Sequence, residues 1–304
     1  MTEYVYLDGK YVDKDKAMIP VMTHAFLYGT AVFEGMRAYY NEDEKQLYVF
    51  RPKEHFERLF QSAKIMYMDG CHTLDEHLDI LKNLLKKDNF KSDVYIRPII
   101  YKSADRIGPH LIDNSDKYLI FAFPMKDYFE NKGLRACVST WRRNSDNSIP
   151  PRAKINGAYV NASLISTEAR MNGFDEAIVL SQTGKVAEGA AMNLFLVMNG
   201  KLVTTTTTSE ILTGVTRNTI IQLAKEVLGW EVEERVIDRS ELYSAEEAFF
   251  CGTGAQIVPI CSIDNRNIGN GEVGPKVLEL QKLYFDVVKG KVPKYKEWCM
   301  PVYD

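Results

Sequence analysis

Ser148-Ile149-Pro150-Pro151-Arg152-Ala153-Lys154-Ile155-Asn156-Gly157-Ala158-Tyr159 sets one lysine between a stiff approach and the start of a helix. Pro150 and Pro151 fix φ and donate no N–H, so the residues before Lys154 suit neither a helix interior nor a central strand. The helix that follows stops near Gly173. That position suits a junction between two folding units. An ordinary lysine stays charged and solvated, whereas a Schiff-base lysine must sit in a shielded pocket where its amine can lose a proton. The spacing leaves both open.

N-terminal to this stretch, Tyr4–Leu7 and Lys10–Val12 alternate as strands around Asp8-Gly9, a pair suited to a two-residue hairpin. Pro52 opens a helix with Phe56, Leu59, Phe60 and Ala63 on one face. Thr73 and Glu76 form a capping box for a second helix, with Leu74, Leu78, Leu81 and Leu85 facing inward, and strand-like runs follow at 93–101 and 118–123. The polar stretch Lys126–Gly133 breaks the pattern. It divides the chain into a small α+β domain (1–127), a linker (128–132) and a larger, mainly β-stranded domain (133–304).

The second domain reads as strands at 135–139 and 176–180, a hairpin over 193–204 turned by Asn199-Gly200, a helix from Arg217 to Leu228 closed by Gly229, strands at 231–236, 248–251 and 257–263, and a last helix from Pro275. The run Thr204–Thr208 needs no functional explanation, because β-branched residues suit the end of a hairpin strand.

Composition removes several classes of function. Lys and Arg total 38 against 41 Asp and Glu, a formal charge of −3 without a basic block, so small-molecule chemistry ranks ahead of nucleic-acid binding. No run approaches the ~20 apolar residues of a membrane span, and Glu3 and Asp8 do not suit a signal peptide. Cys71, Cys137, Cys251, Cys261 and Cys299 are odd in number and scattered, which fits a reducing cytoplasm and no metal site. His24, His55 and His110 stand alone, and His72 and His77 lack the spacing of a zinc site. Dinucleotide, Walker, esterase-elbow and zincin motifs are missing from the sequence.

A pyridoxal site needs a lysine, a carboxylate for the ring nitrogen and a cup for the phosphate. Ala187-Glu188-Gly189-Ala190-Ala191-Met192-Asn193 puts a carboxylate just ahead of a strand, where it either faces a cavity or sits in a solvated loop. Gly214-Val215-Thr216-Arg217 opens a helix whose N–H groups suit a dianion, although an ordinary Thr cap explains Thr216 equally well.

These segments, with Tyr28–Arg37 (YGTAVFEGMR), Phe50–Leu59 (FRPKEHFERL) and Tyr95-Ile96-Arg97-Pro98, resemble in order those of the class IV, fold-type IV pyridoxal-phosphate aminotransferases, the branched-chain group most of all. The resemblance implies an α/β (α+β) fold of two domains with the cofactor at their interface, and a homodimer or larger assembly. It implies that Lys154 forms the internal Schiff base and moves the substrate proton, that Glu188 pairs with the pyridine nitrogen, and that Tyr159 binds the cofactor's phenolic oxygen. Arg58, on its own a helix-surface charge, would clamp the phosphate as a fork with Val215, Thr216 and Thr253, and Asn193 would join the cofactor site.

For substrate it implies an apolar pocket from Tyr28, Phe33, Gly35 and Tyr128, with the α-carboxylate near Tyr95 and the Thr253-Gly254 backbone. Arg97, which a buried ion pair would equally explain, would receive the distal carboxylate of glutamate. The implied activity is ping-pong transfer of an amino group between leucine, isoleucine or valine and 2-oxoglutarate. D-amino acid aminotransferases, R-selective amine transaminases and aminodeoxychorismate lyases share the lysine, glutamate and phosphate cup, and Tyr95-Ile96-Arg97 favours the branched-chain group over them. Three segments depart from the family pattern: Ala191-Met192, Thr213, and the loop Ser103-Ala104-Asp105-Arg106-Ile107-Gly108. In the family that loop reaches a neighbouring subunit's site, so Arg106 is either an added cation there or a solvated loop arginine.

Overall fold

Asp8 and Gly9 both take positive φ (46° and 90°), as a two-residue hairpin requires, and turn β1 (Tyr4–Leu7) into β2 (Lys10–Asp13). In this computed structural model residues 3–126 and 133–304 are described, so the expected linker 128–132 and Tyr128 lie outside the described residues. Two units emerge: Met1–Lys126 with Ala153–Gly157 and Asp286–Asp304, and Asp127–Arg152 with Ala158–Phe285. The segment carrying Lys154 thus folds with the first unit.

In the first unit α1 (His24–Tyr28), β3 (Ala31–Phe33), β4 (Met36–Asn41), β5 (Gln46–Phe50), α2 (Pro52–Ile65), α3 (Leu74–Asp88), β6 (Val94–Lys102) and β7 (Asp116–Pro124) follow the hairpin. The described strands form an eight-stranded sheet in the order C-terminal strand (Cys299–Pro301), β5, β4, β6, β7, β1, β2, with β3 also on β6, and every pairing is antiparallel. β3, β4 and β5 show no period-2 signal in the sequence because most of their residues are buried on both faces, which erases the alternation. Thr73 caps α3 through the expected box. The helix is rotated from the expected face, however: His77, Ile80, Leu81, Leu84 and Leu85 are buried, while Leu74 and Leu78 are only half-buried.

The second unit holds β8 (Leu134–Arg142), α4 (Tyr159–Met171), β9 (Glu176–Leu180), β10 (Val186–Gly189), β11 (Asn193–Met198), β12 (Lys201–Thr205), α5 (Val215–Glu226), β13 (Val232–Arg235), β14 (Glu247–Gly252), β15 (Gln256–Ile263), β16 (Arg266–Asn267) and α6 (Pro275–Val288) as far as Phe285. Its nine-stranded sheet runs β10, β9, β8, β15, β14, β11, β12, β13, with β16 on β15. β8 with β9, and β12 with β13, are parallel pairs linked through α4 and α5, since a parallel pair needs a crossover. Asn199 and Gly200, both at positive φ, turn β11 into β12 as expected. Leu194, Leu196, Ile178, Phe250 and Ile260 belong to the apolar core beneath these strands. α5 begins at Val215, two residues before the expected start.

Candidate functional site

In the first unit, Tyr95 and Arg97 lie two residues apart on β6 and so share a face of the sheet. Arg97 Nη2 donates to Tyr95 Oη at 2.9 Å. A Cβ on Gly35 would collide with that same hydroxyl, so only glycine lets Tyr95 cross the β3–β4 turn. The Arg97 guanidinium lies 4.7 Å from the centroid of the Phe33 ring, and Lys154 Nζ lies 4.9 Å from it. Among the described residues Arg97 makes no ion pair, and its buried Nε has no hydrogen-bond partner. The ion-pair explanation of a buried arginine therefore finds no carboxylate there.

Lys154 belongs to no regular element. Its carbonyl accepts from Phe33 N (3.0 Å), its N–H donates to Ser62 Oγ (3.0 Å), and Asn156 N donates to the Ala31 carbonyl (2.8 Å), which lays the segment along β3.

Arg58 is braced by a carboxylate: its Nε and Nη2 donate to Glu34 Oε1 and Oε2 at 2.6 and 2.8 Å. The reason is burial: Glu34 is 0% exposed, and a charge so enclosed requires a paired partner. His55 Nδ1 adds a third contact to Glu34, at 2.7 Å. Burial alone would push the Glu34 carboxyl up, but the Arg58 charge and the bonds from His55 and Arg58 outweigh it and hold it far below the usual carboxylate range. Burial pushes His55 down despite Glu34, so the imidazole is a neutral donor.

In the second unit, Glu188 is 2% exposed on β10, where a register shift between Val186 and Glu188 re-aims the side chain. Arg143 Nη2 lies 2.8 Å from Glu188 Oε1 and Asn193 Nδ2 donates to Oε2 at 2.9 Å. Asn193 also donates to the Leu212 carbonyl (2.9 Å), and a Cβ on Gly214 would strike its Oδ1. Gly214 is the extended N-cap of α5, no side chain caps that first turn, and Val215 and Thr216 are buried just inside it. Thr253 and Gly254 occupy the turn from β14 to β15, and Tyr159 is the first residue of α4.

Sequence reasoning does not single out Glu34, Ser62 or Arg143, and in the sequence His55 stands alone. The spacing of His55, Arg58 and Ser62 on one turn-by-turn stripe of α2 is a usable signal, but Arg143 offers none. Tyr28 Oη accepts from Gly108 N (2.9 Å). Arg106 Nη2 donates to the His110 and Ile112 carbonyls at 2.9 and 2.8 Å, binding its own loop together.

The description "Amino-transferase class IV" matches residues 31–263. A "probable branched-chain-amino-acid aminotransferase" of Aquifex aeolicus is 49% identical over 303 residues, 99% of this chain and 97% of that one. The chain is similar to the crystal structure of a branched-chain amino acid aminotransferase from Thermobaculum terrenum in its PLP form (39% identity, 100% and 99% of the chains, TM-score 0.96). It is also similar to the branched-chain aminotransferase of the thermophilic archaeon Thermoproteus uzoniensis crystallised with norvaline (40% identity, 100% of each chain, TM-score 0.95).

Proposed function

Since the chain belongs to the class IV aminotransferases, we propose that Lys154 and Arg97, which flank one Phe33 ring, serve a pocket taking branched-chain side chains and glutamate by turns. The chain is a pyridoxal-phosphate-dependent branched-chain aminotransferase, working between branched-chain L-amino acids and 2-oxoglutarate in ping-pong half-reactions. The observation that carries the pocket is the Phe33 ring, with the Arg97 guanidinium 4.7 Å and Lys154 Nζ 4.9 Å from its centroid and no ion pair at Arg97 among the described residues. The ring face buries an apolar chain without polar contacts, while the guanidinium offers a fixed cation to a distal carboxylate.

When bound, pyridoxal phosphate supplies the electron sink that lets an amino acid release its α-proton. The residues suit that group: a lysine with a clamped main chain, a buried carboxylate for the ring nitrogen, and a helix start without a side-chain cap for the phosphate. Lys154 would be the residue that holds the group covalently, and its Nζ, as a free amine, would take and return the substrate's α-proton. Glu188, paired with Arg143 and steadied by Asn193, would face the ring nitrogen and favour its protonated form. Tyr159 meets the phenolic oxygen. The backbone at Val215 and Thr216, with the Thr216 and Thr253 hydroxyls, would hold the phosphate, and Arg58, braced by Glu34, would add a cation there. Tyr95 and the Thr253-Gly254 backbone would receive the α-carboxylate, and Tyr28 would complete the apolar wall.

Assembly into at least a homodimer is supported by exposed apolar residues of the first unit. Met18, Val21 and Phe26 are 77%, 74% and 75% exposed, as is Ile107 at 73%, in segments joined by the His24 bond to the Gly108 carbonyl. No described helix is long and apolar enough to cross a membrane, and five free cysteines support a cytoplasmic setting.

The test is borohydride reduction of cofactor-loaded protein, then peptide mapping. Label on the peptide carrying Lys154, with turnover on leucine and 2-oxoglutarate, is the expected result. Label on another lysine overturns the assignment.

A further inference from the structure

α2 buries two faces. Phe56, Leu59 and Ala63 form the apolar one, and His55, Arg58 and Ser62 form a polar one at the i, i+3, i+7 spacing of a single stripe. His55 and Arg58 serve Glu34. Ser62 serves something else: its Oγ accepts the main-chain N–H of Lys154 at 3.0 Å, although 92 residues separate them. Ser62 is 0% exposed in the middle of a helix, where alanine fills nearly the same space with better helix propensity. A serine there calls for a bond that alanine cannot make, and the Lys154 N–H is that bond.

Lys154 lies outside any regular strand, so its main chain depends on side-chain and cross-segment bonds rather than a ladder. The Phe33 N–H takes its carbonyl at 3.0 Å, so the main chain is gripped by β3 on one side and by α2 on the other. The Phe33 ring then lies 4.9 Å from Nζ. One residue therefore helps set both ends of the side chain, with Ser62 closing the grip at its base.

We infer that Ser62 is a positioning residue for Lys154: it holds the lysine's main chain so that Nζ meets the cofactor in a fixed geometry. The inference rests on Lys154 being the cofactor lysine. Ser62 touches neither cofactor nor substrate and acts only through that N–H. Two variants separate this role from simple packing, Ser62→Ala, which deletes the acceptor at nearly the same volume, and Ser62→Cys, which fills the site with a slightly larger thiol but offers only a weak acceptor.

Apoprotein of wild type and of each variant is mixed with pyridoxal phosphate. The visible band of the lysine-bound cofactor is followed for its rate of appearance and its pH midpoint, and apoprotein melting is recorded alongside. Both variants should form the band about tenfold more slowly, the size expected for one hydrogen bond of about 1.4 kcal/mol, with a displaced midpoint. Ser62→Cys should melt close to wild type. If Ser62→Ala does not fold, Ser62→Cys decides alone. A Ser62→Cys band with wild-type rate and midpoint overturns the inference, whatever its melting temperature. A wild-type protein that never forms a lysine-linked band overturns the cofactor reading, and this inference with it.

Discussion

Glu34→Gln removes one negative charge from a carboxylate that accepts three hydrogen bonds with no exposed surface of its own. An amide of the same shape has one acceptor oxygen and one donor group. Whichever way it turns, a donor of Arg58 or His55 meets the NH2, and the Arg58 charge, 10% exposed at its side chain, loses its counter-ion. Breaking a buried pair from one side costs about 3–5 kcal/mol. Almost no solvent reaches the site to screen the loss, so that range applies without a surface discount. Urea unfolding of the apoprotein at neutral pH should show the loss as a lower midpoint at unchanged slope, and cofactor affinity should fall because Arg58 is no longer held.

The pH profile gives a second signature. The carboxyl is held below its ordinary value of 4.5 in the fold, so its stabilisation is complete above that value and fades as pH falls through the folded one. Glu34→Gln should lack this acid limb. A loss under about 1 kcal/mol, the value of a surface pair, with cofactor affinity unchanged, would refute the reasoning.

Arg97→Met should lower the 2-oxoglutarate half-reaction about ten- to a hundredfold, as loss of a charge-assisted contact does, and spare the 2-oxoisocaproate one. Single-turnover absorbance measures each, and equal losses would make Arg97 structural. Glu188→Gln should reduce turnover on the order of a hundredfold, the scale of one preorganised electrostatic partner, while melting changes less. Unchanged kcat would remove Glu188 from the site. His77 is buried, which brings its titration down to about 4 against 6.5 in the unfolded chain. The unfolded chain therefore binds protons that the fold refuses, and stability should fall by up to about 3 kcal/mol between pH 6.5 and 4. His77→Phe, matching rings stacked at Phe56, should flatten that slope, and an unaltered slope would assign it to another group.

Elements with one wet face and local punctuation are legible in the sequence: the Asp8-Gly9 and Asn199-Gly200 hairpins, the Thr73 capping box and the α4 and α5 helices follow from neighbouring residues alone. β3, β4 and β5 are not, because burial on both faces leaves no period to read. The site divides in the same way. Lys154, Glu188 and Thr216 stand out as candidates by proline, strand and helix-start context, each with an ordinary alternative that only the family resemblance sets aside. Their holders do not, since Glu34 meets Arg58 across 24 residues and Arg143 meets Glu188 through a different pair of strands and loops. A long-range ion pair has no local spacing, and only the cost of leaving a charge buried alone says that a partner must exist.

Their surroundings separate Arg97 from Arg106, two arginines that the sequence offers alike to the acidic substrate. Arg106 Nη2 donates to two main-chain carbonyls within six residues of itself, so its charge serves to close the loop. Among the described residues Arg97 donates to the Tyr95 hydroxyl and otherwise faces aromatic rings, with no anion beside it. A half-buried guanidinium in that state gains most from a carboxylate that arrives and leaves, which is what alternating half-reactions require of it. Arg106→Ala should then loosen the loop and leave discrimination between 2-oxoglutarate and 2-oxoisocaproate intact. Selective loss of 2-oxoglutarate in that variant, with Arg97→Met unaffected, would move the acidic subsite onto the loop.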